Sequence, residues 1–176
     1  MTVVVGLEYD GRVVIGADSA AVADDHRTRY AHPKVFHLGP YLIGFADSFR
    51  AGQAIQYRLR VPEQRCDDDH EHLCTAFVDE LRKTLHKAGA LKHGDGDESS
   101  VVLLVGYRGH LYEIDTDLHV GRSIDGYEAI GIGAPYALGS LHTPVDGTPA
   151  YRVGLALAAA ATYSTAVAPP FTILDN

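Results

Sequence analysis

Residues 2–18 read TVVVGLEYDGRVVIGAD, with Asp10-Gly11 between two runs rich in β-branched residues. Asp and Gly both tolerate the positive φ angles of a two-residue hairpin turn, so this pattern predicts a β-hairpin. Both runs are apolar on both faces of the strand. The hairpin is therefore expected to be covered on both sides and to lie at the centre of the fold.

The turn also predicts which residues meet at the open end of the hairpin. A two-residue turn pairs Tyr9 with Arg12 and, counted outward, brings Val3 opposite Asp18. Thr2 and Asp18 are then expected at the same end of the same hairpin. A bulge in either strand would move the following side chains to the opposite face of the sheet. The predicted pairing alone therefore does not determine which face Thr2 and Asp18 share.

The rest of the chain continues as separate groups of strands and helices. The predicted segments are a hairpin of 35–38 and 41–46, helices over 48–60 and 70–88, a polar loop over 92–100, strands at 101–105, 111–114, 118–120 and 129–132, helices over 135–141 and 150–165, and a strand at 171–174. Segregated strands and helices are typical of an α+β fold, with stacked sheets and helices on both outer faces. No linker divides the sequence, so a single domain over 1–176 is expected.

Composition and charge exclude several classes of protein. The chain has 176 residues with 15 Lys and Arg against 23 Asp and Glu, and a net charge of −8 repels nucleic acid. No apolar run approaches the ~20 residues of a membrane span, and the first residues make a poor secretory signal. Two cysteines, Cys66 and Cys74, form no disulfide framework. We expect a cytoplasmic protein without nucleic-acid or membrane partners.

Thr2 is the first candidate for chemistry. A small residue after Met1 is the kind normally uncovered when the initiator methionine is removed. A threonine with a free α-amine carries its own base, because the amine can accept the hydroxyl proton. Many proteins begin with Met-Thr, so this feature alone does not distinguish a nucleophile from an ordinary first residue.

Lys34, Asp18 and Gly44 are the other candidates. Lys34 is either an exposed charge at the edge of a strand or a neighbour of the N-terminal amine, whose pKa its like charge would lower. Asp18 would then hold the ammonium in place, unless it is an aspartate bound only by turn amides. Gly44 is expected to present a backbone amide to a developing oxyanion.

These segments together resemble a known family. TVVVG (2–6), VIGADS (14–19), KVF (34–36) and IGFA (43–46) resemble the N-terminal half of proteasome β-type subunits and of HslV, a bacterial ATP-dependent protease subunit. GIGAPYA (131–137) resembles the glycine-containing segment that opens the third helix of these proteins. The resemblance covers nearly the whole chain, in the same order.

The resemblance implies an N-terminal nucleophile hydrolase with a four-layer α-β-β-α sandwich. Its members form stacked rings, and this implies a homo-oligomeric double ring, peptide or unfolded-protein substrates and an ATP-dependent unfoldase as a partner. Carried over by position, Thr2 would be the nucleophile and base, Asp18 and Lys34 would tune it, and the Gly44 amide would stabilise the oxyanion. No cofactor and no metal are implied.

The chain departs from the family at Ile132, where members carry a serine near the reacting amine. Thr165 and Pro169-Pro170 also replace a supporting aspartate and a glycine pair. These departures keep two alternatives open beside a threonine peptidase: a weak or inactive ring-forming homologue, and an amidase acting on small amides.

A second polar cluster, residues 67–72, has the sequence DDDHEH. Its carboxylates and imidazoles are metal-ligand types, but the run stands where a helix is predicted to begin. Aspartates at that position cap free amides and favour the positive end of the helix dipole. We therefore predict a helix cap rather than a metal site.

Overall fold

Two antiparallel sheets form the centre of this computed structural model, which describes residues 2–23, 25–94, 97–99 and 101–176. The strands are β1 (Val4–Tyr9), β2 (Arg12–Ala17), β3 (Ala20–Ala23), β4 (His26–Arg29), β5 (Val35–Leu38), β6 (Tyr41–Ala46), β7 (Lys92–Gly94), β8 (Asp97–Ser99), β9 (Val102–Tyr107), β10 (His110–Ile114), β11 (Val120–Gly121), β12 (Tyr127–Ile130) and β13 (Thr172–Asp175). One sheet has the order β12-β1-β2-β13 and the other β11-β10-β9-β6-β5.

The helices lie outside the two sheets. They are α1 (Phe49–Arg58), α2 (Asp69–His72), α3 (Val78–Lys87), α4 (Ala134–His142) and α5 (Pro149–Tyr163). A π-helical turn, Leu73–Phe77, joins α2 to α3.

Three clusters of buried side chains fill the spaces between adjacent layers. The cluster between the sheets contains Val4, Ile15 and Leu104. A second joins the five-stranded sheet to α1 and α3 through residues such as Ile55 and Leu81, and a third joins the other sheet to α4 and α5. The predicted four-layer α-β-β-α sandwich is confirmed.

The N-terminal hairpin has the predicted register. Tyr9 pairs with Arg12 and Val4 with Ala17, while the turn residues Asp10 and Gly11 have φ of 43° and 71°. Positive φ at both positions is the geometry of a type I′ turn. No bulge interrupts the pairing, so the open end brings together the residues that counting predicts.

Side chains cap the first turns of the two helical segments that cover the five-stranded sheet. Ser48 accepts a hydrogen bond from the Ala51 amide at the start of α1, and Asp68 accepts from the amides of His70 and Glu71 at the start of α2. The capping role predicted for the acidic run is thus confirmed. Among the described residues, no group of three His, Cys, Asp or Glu side chains is placed to hold a metal ion.

Two short hairpins differ from the predictions. β3 and β4 were not predicted, because β4 (HRTR) carries no apolar alternation that would indicate a strand. The stretch predicted as a loop over 92–100 contains β7 paired with β8; residues 95, 96 and 100 lie outside the described residues.

Glycines stand where neighbouring layers approach most closely. A Cβ on Gly16 would lie 2.6 Å from Val153 of α5, and one on Gly52 of α1 would lie 2.5 Å from the Phe45 ring. Real Cβ atoms do not approach heavy atoms so closely, so these contacts require residues without side chains. Separately, no helix within the described part of the chain is long and apolar enough to cross a membrane.

Candidate active site

Three polar side chains meet at the open end of the N-terminal hairpin. The Thr2 hydroxyl donates to Asp18 Oδ1 and accepts from Lys34 Nζ. All three residues are 2 % exposed in a protein whose other buried residues are mostly apolar. Burying a carboxylate and an ammonium is costly unless they are paired and hydrogen-bonded. The mutual contacts of these side chains therefore offset the cost of their burial.

The Asp18 carboxylate is held by donors on both oxygens. Oδ1 accepts from Lys34 Nζ at 2.7 Å and from the Val3 amide at 3.1 Å. Oδ2 accepts from the amides of Ala20 at 2.9 Å and Ala168 at 3.3 Å. These donors fix the carboxylate, because moving it would leave several buried groups without partners.

Lys34 is enclosed rather than exposed at a strand edge. Its ammonium donates to the Ala20 carbonyl at 2.6 Å and lies 5.6 Å from the centre of the Phe49 ring. Burial lowers the pKa of Lys34 below its ordinary value, and the neighbouring Asp18 carboxylate opposes that shift. The edge-charge alternative is therefore excluded by the contacts of the side chain.

The segment before α4 holds the backbone of Thr2. The Gly133 amide donates to the Thr2 carbonyl at 3.2 Å. Gly131 has φ of 88°, and a Cβ there would lie 2.5 Å from the same carbonyl oxygen. Only glycine combines this conformation with this approach. Ile132, between them, has a side chain that is 51 % exposed.

Gly44 does not join this group. The Phe45 amide donates to the Lys34 carbonyl and therefore points toward β5. Successive amides of a strand point to opposite sides, so the Gly44 amide points toward Leu104 on β9. A Cβ on Gly44 would lie 2.5 Å from Val4 Cγ1, between the two sheets. The predicted oxyanion role of Gly44 is corrected on this ground, since its amide lies within the sheet and its open side is filled by the facing sheet.

Asp47 is a residue that sequence reasoning missed. It follows β6 directly, is exposed, and has φ of 71° although it is not glycine. The Ser48 amide donates to the Ala46 carbonyl at 3.0 Å, so the chain turns sharply at Asp47. A non-glycine residue at positive φ often marks a functional site, but no sequence signal at Asp47 indicates this conformation.

Backbone groups of Ser19 and Ala168 also complete the site. Ser19 donates its amide to the Ala168 carbonyl at 3.1 Å, and the Ala168 amide binds Asp18. The segment after α5 is thereby tied to the hairpin end. Backbone contacts of this kind depend on tertiary structure, so the identity of an alanine gives no indication of them.

An aromatic pocket of about 390 Å³ lies beside Lys34. Its lining consists of aromatic and amide side chains with one proline and one histidine: Tyr30, His32, Pro33, Phe45, Phe49, Gln53, Gln56 and Tyr57. Pro33 precedes Lys34 in the chain, and the Phe49 ring contacts its ammonium. None of Thr2, Asp18 and Lys34 lines the pocket, so it is connected to that group through Pro33 and the Phe49 ring.

Comparison with solved structures identifies the fold. BPH from Thiobacillus denitrificans, in a complex with epoxomicin, has a TM-score of 0.82 with 20% identity, covering 99% of this chain and 98% of that one. This chain has the fold of the proteasome-like N-terminal nucleophile hydrolases. The predicted resemblance is confirmed for the fold.

Two further structures agree with this assignment. HslV from Trypanosoma brucei has a TM-score of 0.68 with 19% identity, covering 99% of this chain and 98% of that one. Anbu from Yersinia bercovieri has a TM-score of 0.72 with 17% identity, covering 99% and 81%. No family model and no curated protein matches the sequence.

Proposed function

We propose that this proteasome-like chain is a threonine peptidase whose nucleophile is Thr2, exposed as the first residue by removal of Met1. The observation that carries the proposal is the buried group of Thr2, Asp18 and Lys34, joined by mutual hydrogen bonds. Met1 itself lies outside the described residues.

In the proposed reaction, Thr2 Oγ1 attacks the carbonyl carbon of a peptide bond. The free α-amine of Thr2 takes the hydroxyl proton and passes it to the leaving amine as the C–N bond breaks. The ester that remains on Oγ1 is hydrolysed by water, which restores the hydroxyl. The Lys34 ammonium stabilises negative charge developing on Oγ1, because it already donates to that oxygen.

Asp18 acts through Lys34 in this scheme. Its carboxylate fixes the ammonium against Oγ1, and its own position is fixed by backbone donors. The oxyanion of the tetrahedral intermediate is assigned to the Asp47 amide, which replaces the earlier expectation for Gly44. Its positive φ and its place at the exposed end of β6 support this assignment.

The aromatic pocket beside Lys34 supports a substrate class. Rings of Tyr30, Phe45 and Phe49 line it together with two glutamine amides. Such a lining favours a large apolar or aromatic side chain on the substrate, next to the bond that is cleaved.

The proposed activity also includes an assembly. A peptidase without a restricted entrance would digest proteins at random, so we propose the homo-oligomeric double ring of this class, supplied by an ATP-dependent unfoldase. Closed cyclic symmetry would enclose the Thr2 sites in one chamber. The fold similarity to HslV supports this proposal.

The decisive experiment combines intact mass with epoxomicin, the molecule bound in the Thiobacillus structure. The purified protein is expected to lack the mass of methionine and to gain the mass of one epoxomicin. A Thr2→Ala variant should gain none and should cleave no fluorogenic peptide. Thr28→Ala, on β4, serves as the matched control and should react as the wild type does.

Two results would overturn the proposal. Retention of Met1 in the mature protein would leave Thr2 without a free amine, and the mechanism would fail. Peptide cleavage that persists in Thr2→Ala would show that another group is the nucleophile.

A further inference from the structure

A groove on the outer helical layer concentrates positive charge. It lies between the end of α1 and the outer side of α3, has a volume of about 470 Å³, and is lined by Arg58, Arg60, Glu80, Lys83, Thr84 and Lys87. Four of the chain's 15 Lys and Arg residues thus line one groove in a protein of net charge −8. We call it the basic groove.

Within the described residues, most of this charge is not neutralised. Glu80 pairs with Lys83 at 2.7 Å, on the same helix. Arg58, Arg60 and Lys87 form no ion pair with any side chain in that part of the structure. Like charges held together destabilise a fold, and Lys83 and Lys87 stand four residues apart on α3. A bound anionic group would remove that repulsion.

The groove is separate from the Thr2 group. Arg58 is the last residue of α1, whereas Phe49, which contacts the Lys34 ammonium, is its first. Ten helical residues span about 15 Å, so a ligand in the groove does not reach Thr2. The groove also joins a second cavity of about 550 Å³, with which it shares Arg60 and Glu80.

The charges of the second cavity help to identify the ligand. Its charged lining is mixed, with Glu63 and Glu71 beside Arg60 and Arg65. A long polyanion such as nucleic acid would meet these carboxylates and the negative charge of the whole chain. A polypeptide has only some acidic side chains, and its amides and remaining residues can donate to the carboxylates.

We propose that the basic groove binds an extended acidic segment of a second protein. Carboxylates of that segment pair with Arg58, Arg60 and Lys87, and the segment continues across the neighbouring mixed cavity. The arginines suit this role because a guanidinium binds a carboxylate through two parallel hydrogen bonds. The inference does not depend on the proposed peptidase activity.

Fluorescence anisotropy of the intact protein tests the proposal. The probe is a fluorescein-labelled peptide of alternating Asp and Ser, and the reference peptide has Asn in place of Asp. The acidic peptide should bind more tightly than the reference, and its affinity should fall as salt is added. The double variant Arg58→Gln/Arg60→Gln should weaken binding about tenfold, which lies within the contribution of two exposed ion pairs.

A matched variant controls for the change in net charge. Arg27→Gln/Arg29→Gln removes two exposed cations from β4 and should alter the affinity less than about twofold. Lys87→Gln alone should weaken binding by a smaller factor than the arginine pair. Thermal unfolding of each variant should match the wild type, because all of these side chains are exposed.

Three outcomes would overturn the proposal. Equal affinity for the acidic and reference peptides would exclude recognition of acidic chains. Equal weakening by the β4 variant would show a response to net charge rather than to the groove. Tighter binding of single-stranded DNA of matching charge, or a changed oligomeric mass in the arginine variant, would assign the groove to nucleic acid or to a second copy of this chain.

Discussion

Lys34 shows how one residue acquires a role that its type does not predict. A lysine at the start of a strand is ordinarily solvated, yet here its ammonium is enclosed by Asp18, the Ala20 carbonyl and the Phe49 ring. The pairing offsets the cost of burial, and removing either partner leaves the other charge alone. Position at the end of the hairpin, rather than local sequence, produces this environment.

Lys34→Met is expected to lower kcat at least about a hundredfold, the lower end of typical proton-transfer contributions. The reason is that Oγ1 of Thr2 loses the cation that donates to it. Peptide hydrolysis measures the effect, with circular dichroism to show that the fold persists. Lys83→Met, at a side chain 61% exposed, is the control and should retain the wild-type rate. A wild-type rate in Lys34→Met would remove Lys34 from the mechanism.

Ile132 stands where the proteasome-like hydrolases that this chain resembles carry a serine. Its neighbours Gly131 and Gly133 both contact the Thr2 carbonyl, so a serine there would lie near the amine and could bind it or an ordered water. Ile132→Ser is expected to raise kcat more than it changes KM, because the wild type lacks that polar partner. Fluorogenic peptide hydrolysis tests this.

The control for that change is Ile124→Ser, at a side chain that is fully exposed in a loop. It should leave kcat unaltered. The gain from Ile132→Ser should also vanish in a Thr2→Ala background, since the serine acts only through the nucleophile. If the wild type is robustly active and Ile132→Ser has the same kcat, residue 132 does not lie near the amine.

At the scale of elements, the sequence predicts the N-terminal hairpin but not the backbone amides that other segments bring to its open end. Asp10-Gly11 determines a turn, and the turn determines the register that brings Thr2 to Asp18. The oxyanion role predicted for Gly44 is wrong because the direction of its amide depends on the pairing of β6 with β9, which the sequence alone does not specify. The contribution of Ala168 is a backbone amide, for which no residue type is required.

The helical element α2 is tied to the five-stranded sheet by a buried histidine. His72, at the end of α2, is 1 % exposed, and its Nε2 is 2.7 Å from the Tyr41 hydroxyl on β6. Burial lowers the pKa of His72; Asp69 opposes this shift, and Arg108 adds to it. The folded protein therefore keeps this imidazole neutral where the unfolded chain would charge it.

Stability is accordingly expected to fall with acidification. Below the ordinary pKa of about 6.5, His72 binds a proton in the unfolded chain but not in the folded protein. The free energy of unfolding therefore falls by up to about 1.4 kcal/mol for each pH unit of acidification. Urea unfolding between about pH 7.5 and pH 5.5 measures the loss. His72→Gln should lose less stability over this interval, and His86→Gln, at an exposed position, should behave as wild type. Equal losses in all three proteins would contradict the prediction.

At the scale of the whole molecule, apolar side chains remain uncovered on the outer surface. Tyr136 and Tyr163, at the ends of α4 and α5, stack at 5.7 Å between ring centres and are 44% and 72% exposed. Tyr151 and Ile124 are also exposed. Single exposed side chains of this kind are common on protein surfaces, so the stacked pair Tyr136 and Tyr163 is the candidate contact surface.

The purified protein is expected to form a particle of about twelve or fourteen copies, the closed double ring of the proposed function. Light scattering would then give a mass many times the 19.0 kDa of one chain. Tyr163→Asp, which places a charge on the exposed aromatic stack, should reduce that mass if the stack lies between copies. A stable monomer at micromolar concentration would refute the assembly.

The close contacts at glycines constrain how this fold can change over evolutionary time. Gly16 and Gly52 lie in different layers, and each is pressed against a neighbour from another layer. Neither has a role in the proposed chemistry, although Gly16 lies within the VIGADS segment that precedes the hairpin end. Relatives with this fold are expected to retain both glycines whether or not they are catalytic, because the spacing of the layers depends on them. Homologues that have diverged beyond recognition at Thr2 could then be traced by these positions.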